Sequence, residues 1–457
     1  MLRGLPLLWM SLAAAAAEPD FGAVCGDAER ILEEMIAIDT SNPPGHEAKV
    51  AWAASRRLSA AGVSSTVVES APGRGNVIAR VAGDGSKRPL LFLAHIDVVG
   101  AGPLWSTPPF SLTRKDGYLW GRGVGDDKGM AAIGVAIARD LARRRVALAR
   151  DVIVALTADE ESGGDAGVIW LLKNKPELLR AEFALNEGAG ARLVDGKLQF
   201  VGLQTAEKTY RTYFLEVEGP GGHSSVPVPD NAIYRLSAVL GRLSAHAFPA
   251  RLTDTTRAWF SGLAAHESPA VARDMKALVS AKSPPRGAVQ RLEKTPHFNS
   301  ILRTTCVATM VQAGHRENAL PQQAKATVNC RILPGDEAGV QAALERVIAD
   351  ARVKVVADRS LGAAPPSPVD GPVLEAARKT AAVMSPGVPV LPSLSTRATD
   401  SRHLRAAGIP AYGLKPFPAN DDDARRAHGR DERVLETSLR YGCEFLYRTV
   451  LDLAAAR

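Results

Sequence analysis

Apolar positions along the chain switch between two periods. Residues 90–99 (LLFLAHIDVV) are almost continuously apolar, the pattern of a parallel strand buried on both faces. Met130, Ile133, Ile137 and Leu141 then recur at helical spacing. Residues 152–157 (VIVALT) predict another buried strand and 182–186 a shorter one. Strands alternating with helices predict an α/β domain with helices on both faces of a sheet.

Near Thr209 the period becomes two. Residues 210–218 (YRTYFLEVE), 304–312 and 324–332 alternate as antiparallel strands do. Ile233, Leu236, Val239, Leu240 and Leu243 mark an amphipathic helix over 231–246, and 340–348 a second; 353–356 is a last strand. The order β-α-β-β-α-β is ferredoxin-like. Residues about 247–303, punctuated by Pro249, Pro269, Pro284 and Pro285, interrupt it as a helical and loop-like insertion. Residues 361–368 (LGAAPPSP) predict a linker, after which the α/β pattern resumes and ends in a helix from about Val434. The predicted architecture is a discontinuous α/β domain, 21–208 plus 363–457, with a four-stranded domain at 209–362 inserted between its halves.

Composition narrows the function classes. The chain has 457 residues, 46% hydrophobic and 23% charged, which is globular and excludes a disordered chain, a coiled coil or a fibre. The 56 Lys+Arg against 49 Asp+Glu leave a mild +7, with no block of basic residues, so nucleic acid is not an expected partner. Arg3, the apolar run 5–17 and the small residues Ala15–Ala16–Ala17 form the pattern of a secretory signal peptide, placed at 1–17. That run falls short of the about 20 residues of a membrane span, so the expectation is a periplasmic or secreted protein without stable membrane insertion after cleavage. Cys25, Cys306, Cys330 and Cys443 match no zinc-finger spacing; the favoured pair is Cys306 with Cys330, and the sequence leaves the pairing open.

Chemistry gathers in short clusters at strand ends. His95 and Asp97, two apart on a strand, share a face, where a carboxylate can orient a metal-binding imidazole. Asp126 and Asp127 sit in a glycine-rich loop entering a helix, Glu160 and Glu161 follow one buried strand, and Glu187 follows another. His428 is a late histidine able to complete the set. Ligand sites in open α/β sheets lie beyond the carboxyl ends of the strands.

The motifs DTSNPPG (39–45), LAHIDVV (93–99), GRGVGDDKG (121–129), TADEESGG (157–164), NEGAG (186–190), GPGGHSSVP (219–227), ENALP (317–321), CRILPG (330–335), ATDSRH (398–403) and HGRDERV (428–434) resemble, in order, those of the M20 metallopeptidase family. DTSNPPG, TDSRH and HGRDERV resemble its carboxypeptidase S and N-acyl-amino-acid hydrolase branch. The resemblance implies a zinc-peptidase-like α/β/α domain with an inserted lid or dimerisation domain, and two zinc ions, with cobalt or manganese as alternatives. Asp126 would bridge them, with a cis peptide after it; His95 and Glu187 would complete one site, Glu161 and His428 the other. Glu160 would be the general base for a water shared by the ions, Asp97 would hold His95, and His223 would stabilise the oxyanion, often from a partner subunit of a homodimer. Asn318, Arg331, Thr399 and Arg402 would bind substrate, Arg331 gripping a carboxylate. DTSNPPG also reads as a plain turn through Pro43–Pro44–Gly45. His46, His246, His266, His297, His315 and His403 read as surface or core residues.

The leading expectation is an exported dizinc hydrolase that cleaves a peptide or N-acyl amide bond next to a free carboxylate. A non-catalytic metal or peptide binder of the same fold is the alternative, opposed by the retention of all five ligands and Glu160. A zinc aminopeptidase of related fold leaves the inserted domain unexplained.

Overall fold

The structure is a computed structural model, described over residues 18–358 and 363–456; the leader expected at 1–17 and part of the 361–368 linker lie outside the described residues. The apolar run at residue 90 becomes the strand Leu90–His95 inside a ten-stranded sheet. Its side chains alternate between two cores: Leu90, Phe92 and Ala94 join one, Leu91 and Leu93 the other. Burial on both faces is why the sequence shows no polar alternation there. Val152–Thr157 and Phe183–Asn186 flank this strand in parallel, and Ala411–Gly413 extends the parallel set. Helices Phe21–Ile36, Glu47–Ser59, Lys128–Arg143, Pro372–Met384 and Glu436–Ala454 cover one face; Val168–Asn174, Pro176–Leu179 and Ser401–Ala406 cover the other. The four parallel strands therefore end at one edge.

The four-stranded sheet runs Thr305–Ala313, Gln323–Ile332, Thr209–Glu218, Val353–Ala357, all antiparallel. Helices Ala232–Ala245 and Val340–Ile348 bury Leu236, Val239, Leu243, Leu344 and Ile348 against one face of it. Connection and strand order match the ferredoxin-like expectation.

The interrupting segment folds into the helices Asp254–Leu263, Pro269–Ser280, Arg286–Leu292 and Pro296–Leu302. Their shared core includes Phe200, Leu391 and Leu394 from the large sheet. The insertion thus packs on the edge of the α/β domain, although it interrupts the sequence of the other one. Gly262 permits the approach, because a Cβ there would overlap Leu391 Cδ2. Lys208 anchors its end, donating from Nζ to the carbonyls of Ser300 and Arg303, each at 2.8 Å.

Two disulfides form. Cys306 and Cys330 face each other across adjacent strands, the pair the sequence favours. Cys25 and Cys443 link the Phe21–Ile36 and Glu436–Ala454 helices across 418 residues, a pairing the sequence alone did not single out.

Candidate metal centre and its cleft

The parallel edge delivers the acidic clusters to one place. His95 ends its strand, Glu160 and Glu161 follow Val152–Thr157, and Glu187 follows Phe183–Asn186. Asp126 stands between two histidines: Oδ1 is 3.5 Å from His95 Nε2 and Oδ2 is 3.3 Å from His428 Nε2. Glu187 lies 3.9 Å from His95 Nε2, and Glu161 lies 3.1 Å from His428 Nε2. Asp126 forms one donor triad with Glu161 and His428 and a second with Asp127 and Glu187, and His95, Glu160 and Glu187 form a third. The Asp126–Asp127 peptide is cis.

Several buried carboxylates hold this arrangement. Asp97 lies 3.3 Å from His95 Nδ1 and accepts the backbone N–H groups of Glu160 and Glu161, each at 3.1 Å. Asn42, from the DTSNPPG turn, donates to both Asp97 and Asp159. Asp159 has a left-handed backbone, φ 72°, and accepts Arg74 and the Ala166 N–H, so the chain reverses where Glu160 and Glu161 begin. Glu432, in HGRDER, accepts the N–H groups of Gly123, Gly125 and Asp126 and pairs with Arg122 at 2.7 Å. The glycine-rich loop is thereby bound to the segment carrying His428.

The centre carries excess negative charge. Among the described residues, the cationic groups paired with Asp97, Asp126, Asp127, Glu161 and Glu187 are His95, His428 and Lys415, with Glu160 and Asp400 adding further carboxyls to the same space. Lys415 Nζ lies 3.5 Å from Asp126 and 3.4 Å from Glu187. Burial pushes Glu160 well above the usual carboxylate range, and burial takes Asp400 up to about 7. Hydrogen bonds that His428 donates to the Asp126 and Glu161 carboxylates lift its pKa to about 10. Burial disfavours charge on His95, yet Asp126 and Asp97 outweigh it and hold the imidazole well above its ordinary value. His95 Nε2 is buried without a hydrogen-bond partner, although it faces two carboxylates. A divalent cation resolves both the orphan nitrogen and the charge imbalance. Donors about 2 Å from one tetrahedral ion stand roughly 3.3 Å apart, close to the separations around Asp126.

The centre floors a cleft of about 1250 Å³. Tyr210 and Arg331 line it from the four-stranded domain, His297 from the insertion, and Arg397, Thr399 and Arg402 from the far side. The Arg331 guanidinium stacks 4.6 Å over the Tyr210 ring. Burial, with Arg402 and Arg397 close by, lowers the Arg331 pKa. Among the described residues none of these three arginines pairs with a carboxylate.

The sequence model of peptidase family M20/M25/M40 matches residues 91–452. The chain belongs to the M20 family of metallopeptidases. It is 31% identical over 377 residues to the N-fatty-acyl-amino acid synthase/hydrolase PM20D1 of Xenopus tropicalis, covering 79% of this chain and 72% of that protein. Over 379 residues it is 30% identical to the probable carboxypeptidase S-like 2 of Dictyostelium discoideum, covering 80% and 72%. Its branch is that of carboxypeptidase S and the N-acyl-amino-acid hydrolases. The fold is also similar to the M20 family metallo-carboxypeptidase Sso-CP2 of Sulfolobus solfataricus, with a TM-score of 0.69 at 20% identity, over 93% of this chain and 98% of that one.

Within this M20 chain the structure brings together His95, Asp97, Asp126, Glu160, Glu161, Glu187 and His428, and places Arg331, Thr399 and Arg402 on the cleft wall. The Thr399 hydroxyl is spent on the Glu207 carboxylate. His223 pairs with Ala319 on the ribbon formed by Gly222–His223 and Ala319–Leu320, and the Ser224 N–H donates to the Asn318 carbonyl; His223 and Asn318 are both exposed and off the cleft lining. His297, expected as a surface or core residue, instead lines the cleft, because the insertion packs beside it. Asn42, Asp159, Arg397, Lys415 and Glu432 had no assigned role from sequence. Glu432, Asn42 and Asp159 each lie inside a recognised motif; Lys415, a single lysine in GLKPFP, carries no such signal.

Proposed function

We propose that the chain is an exported dizinc amidohydrolase that cleaves a peptide or N-acyl amide bond next to a free carboxylate. The observation that carries this is Asp126, with one oxygen toward His95 and Glu187 and the other toward His428 and Glu161. His95 and Glu187 would hold one zinc, Glu161 and His428 the other, and Asp126 both; bound there, the ions supply Lewis acidity to water and to the scissile carbonyl.

Glu160, beside the ligand Glu161 and within reach of His95 and Glu187, is the general base in this reading. It takes a proton from the attacking water on a carboxylate oxygen and returns it to the leaving amine. Asp97 fixes the position of Glu160 through the backbone. The unpaired Arg331, Arg397 and Arg402 receive the substrate carboxylate, for which a guanidinium offers two parallel donors. His223 is off the cleft in a single chain; its role as oxyanion donor requires a second chain, assembled through the four-stranded domain. Export is supported by the leader pattern and by two disulfides, which persist in oxidising compartments.

The test is hydrolysis of dipeptides and N-acyl amino acids by the mature protein, with zinc, with chelator, and with Glu160→Gln. Cleavage that needs metal and Glu160 supports the reading. Absence of cleavage across the panel, with two metals bound per chain, would overturn it.

A further inference from the structure

A second cavity opens off the cleft, and the insertion builds a third of its lining. Its volume is about 180 Å³. Phe200 and Leu394 line it from the large sheet, Trp259 and Ile301 from the insertion. Ala189, Gly190, Gln204, His297 and Ser395 line both cavity and cleft, so the two spaces share a mouth. That mouth begins two residues after Glu187, beside the metal centre. Phe200 and Trp259 meet edge to face at 5.1 Å, which gives the wall a fixed shape. The Trp259 indole N–H is buried and has no hydrogen-bond partner among the described residues. At Gly190 an added Cβ would meet nothing within 4 Å, so the mouth is open there.

We propose that this chamber is a specificity subsite for one apolar group of the substrate, about the size of a benzene ring. An apolar cavity of about 150 Å³ is enough for benzene. The chamber therefore suits a phenyl ring or an alkyl group of about six carbons, and excludes a long acyl chain. The group is either the acyl portion or the amino-acid side chain. The inference rests on the amidohydrolase reading for its kinetics, but the cavity itself does not.

The experiment uses the full mature chain with zinc and two substrate series. One varies the acyl group on glycine from acetyl through butanoyl and hexanoyl to decanoyl. The other keeps acetyl and varies the amino acid from glycine through leucine to phenylalanine. The readout is the ratio of kcat/KM to that of acetylglycine, which cancels any inactive fraction. In one series the ratio should rise about four-fold per methylene up to about six carbons, then fall; the rising series identifies the source of the group. Gly190→Val should cut that ratio at least ten-fold, and Trp259→Ala should move the optimum to a larger group. Flat ratios in both series, or ratios that neither variant moves, would overturn the subsite. If the wild type hydrolyses nothing, the amidohydrolase reading fails separately, and toluene binding followed by saturation-transfer NMR tests the chamber. Binding weakened by Gly190→Val supports it; no binding overturns it.

Discussion

Asp97 and Glu160 are joined through the backbone: Asp97 Oδ1 accepts the Glu160 N–H at 3.1 Å while lying 3.3 Å from His95 Nδ1. The Asp97 carboxylate thus holds the turn that carries Glu160, while the His95 imidazole is held at Nδ1 by the Asp97 backbone carbonyl at 3.0 Å with the carboxylate close behind. Replacing Asp97 with Asn keeps an acceptor but removes the charge and one of the two carboxylate oxygens. Metal affinity is expected to fall about 10–100-fold. Turnover at saturating metal should fall as well, because Glu160 loses its support. Calorimetric zinc titration of the stripped protein, with kcat at saturating zinc, checks both; a fall in affinity with full kcat would confine Asp97 to the histidine.

Glu160 touches the same centre and makes no ligand pair with His428, which Glu161 does. The Glu160→Gln variant should therefore keep two metals per chain and lose about 10²–10⁴ in kcat, the usual value of positioned proton transfer. Metal content by mass spectrometry under native conditions, measured on the preparation used for kinetics, separates the two carboxylates. Loss of a metal in this variant would make Glu160 a ligand.

Arg331 stacks on Tyr210 with no carboxylate partner, so its donors are free for substrate. Removal of the guanidinium in Arg331→Leu should raise KM about ten-fold or more for substrates with a free carboxylate. The same substrates capped as amides should respond little. Equal loss on both would assign Arg331 to packing between the domains.

Where one period dominated, the sequence was legible to within about a residue at each end, although the strand expected over 90–99 already ends at His95. Residues 152–157 are a strand because every side chain is buried, and residues 210–218 alternate because only one face of their sheet is covered. The metal cluster was legible because strand ends, glycine turns and acidic residues coincide. Lys415 and Arg397 were not, since a single basic residue in a loop has no period and its partners are set by tertiary approach. The seating of the insertion was equally hidden: Trp259 and Phe260 are apolar in any packing, and the contacts of Trp259 with Phe200 and of Gly262 with Leu391 reveal which domain they serve.

The two disulfides should differ in weight. Cys25–Cys443 closes a separation of 418 residues and Cys306–Cys330 one of 24, and loop-closure entropy grows with loop length. The paired Cys25→Ala/Cys443→Ala variant should lose stability within the typical ~2–5 kcal/mol range, and more than Cys306→Ala/Cys330→Ala does. Thermal unfolding of both variants beside the oxidised and reduced wild type checks the order. Equal losses would point to native-state contacts rather than the unfolded chain.

The first and last helices are also joined by charge, and this link depends on pH. Glu29 is 5% exposed and accepts Arg440 at 2.6 Å and Arg114 at 3.0 Å. Burial alone would raise its pKa, but the two guanidinium partners outweigh it and hold it below the usual value. A carboxylate depressed in the folded state contributes its full stability above its unfolded pKa of about 4.3. That contribution disappears as the pH falls through the folded value. Both arginines are substantially exposed, which limits the link to about 1 kcal/mol. Glu29→Gln should thus lower the unfolding temperature by about one degree at pH 7, and the gap from wild type should shrink steadily from pH 5 to pH 3. A gap that stays constant over that range would mean Glu29 acts through packing and hydrogen bonding, which Gln retains in part, rather than through its charge.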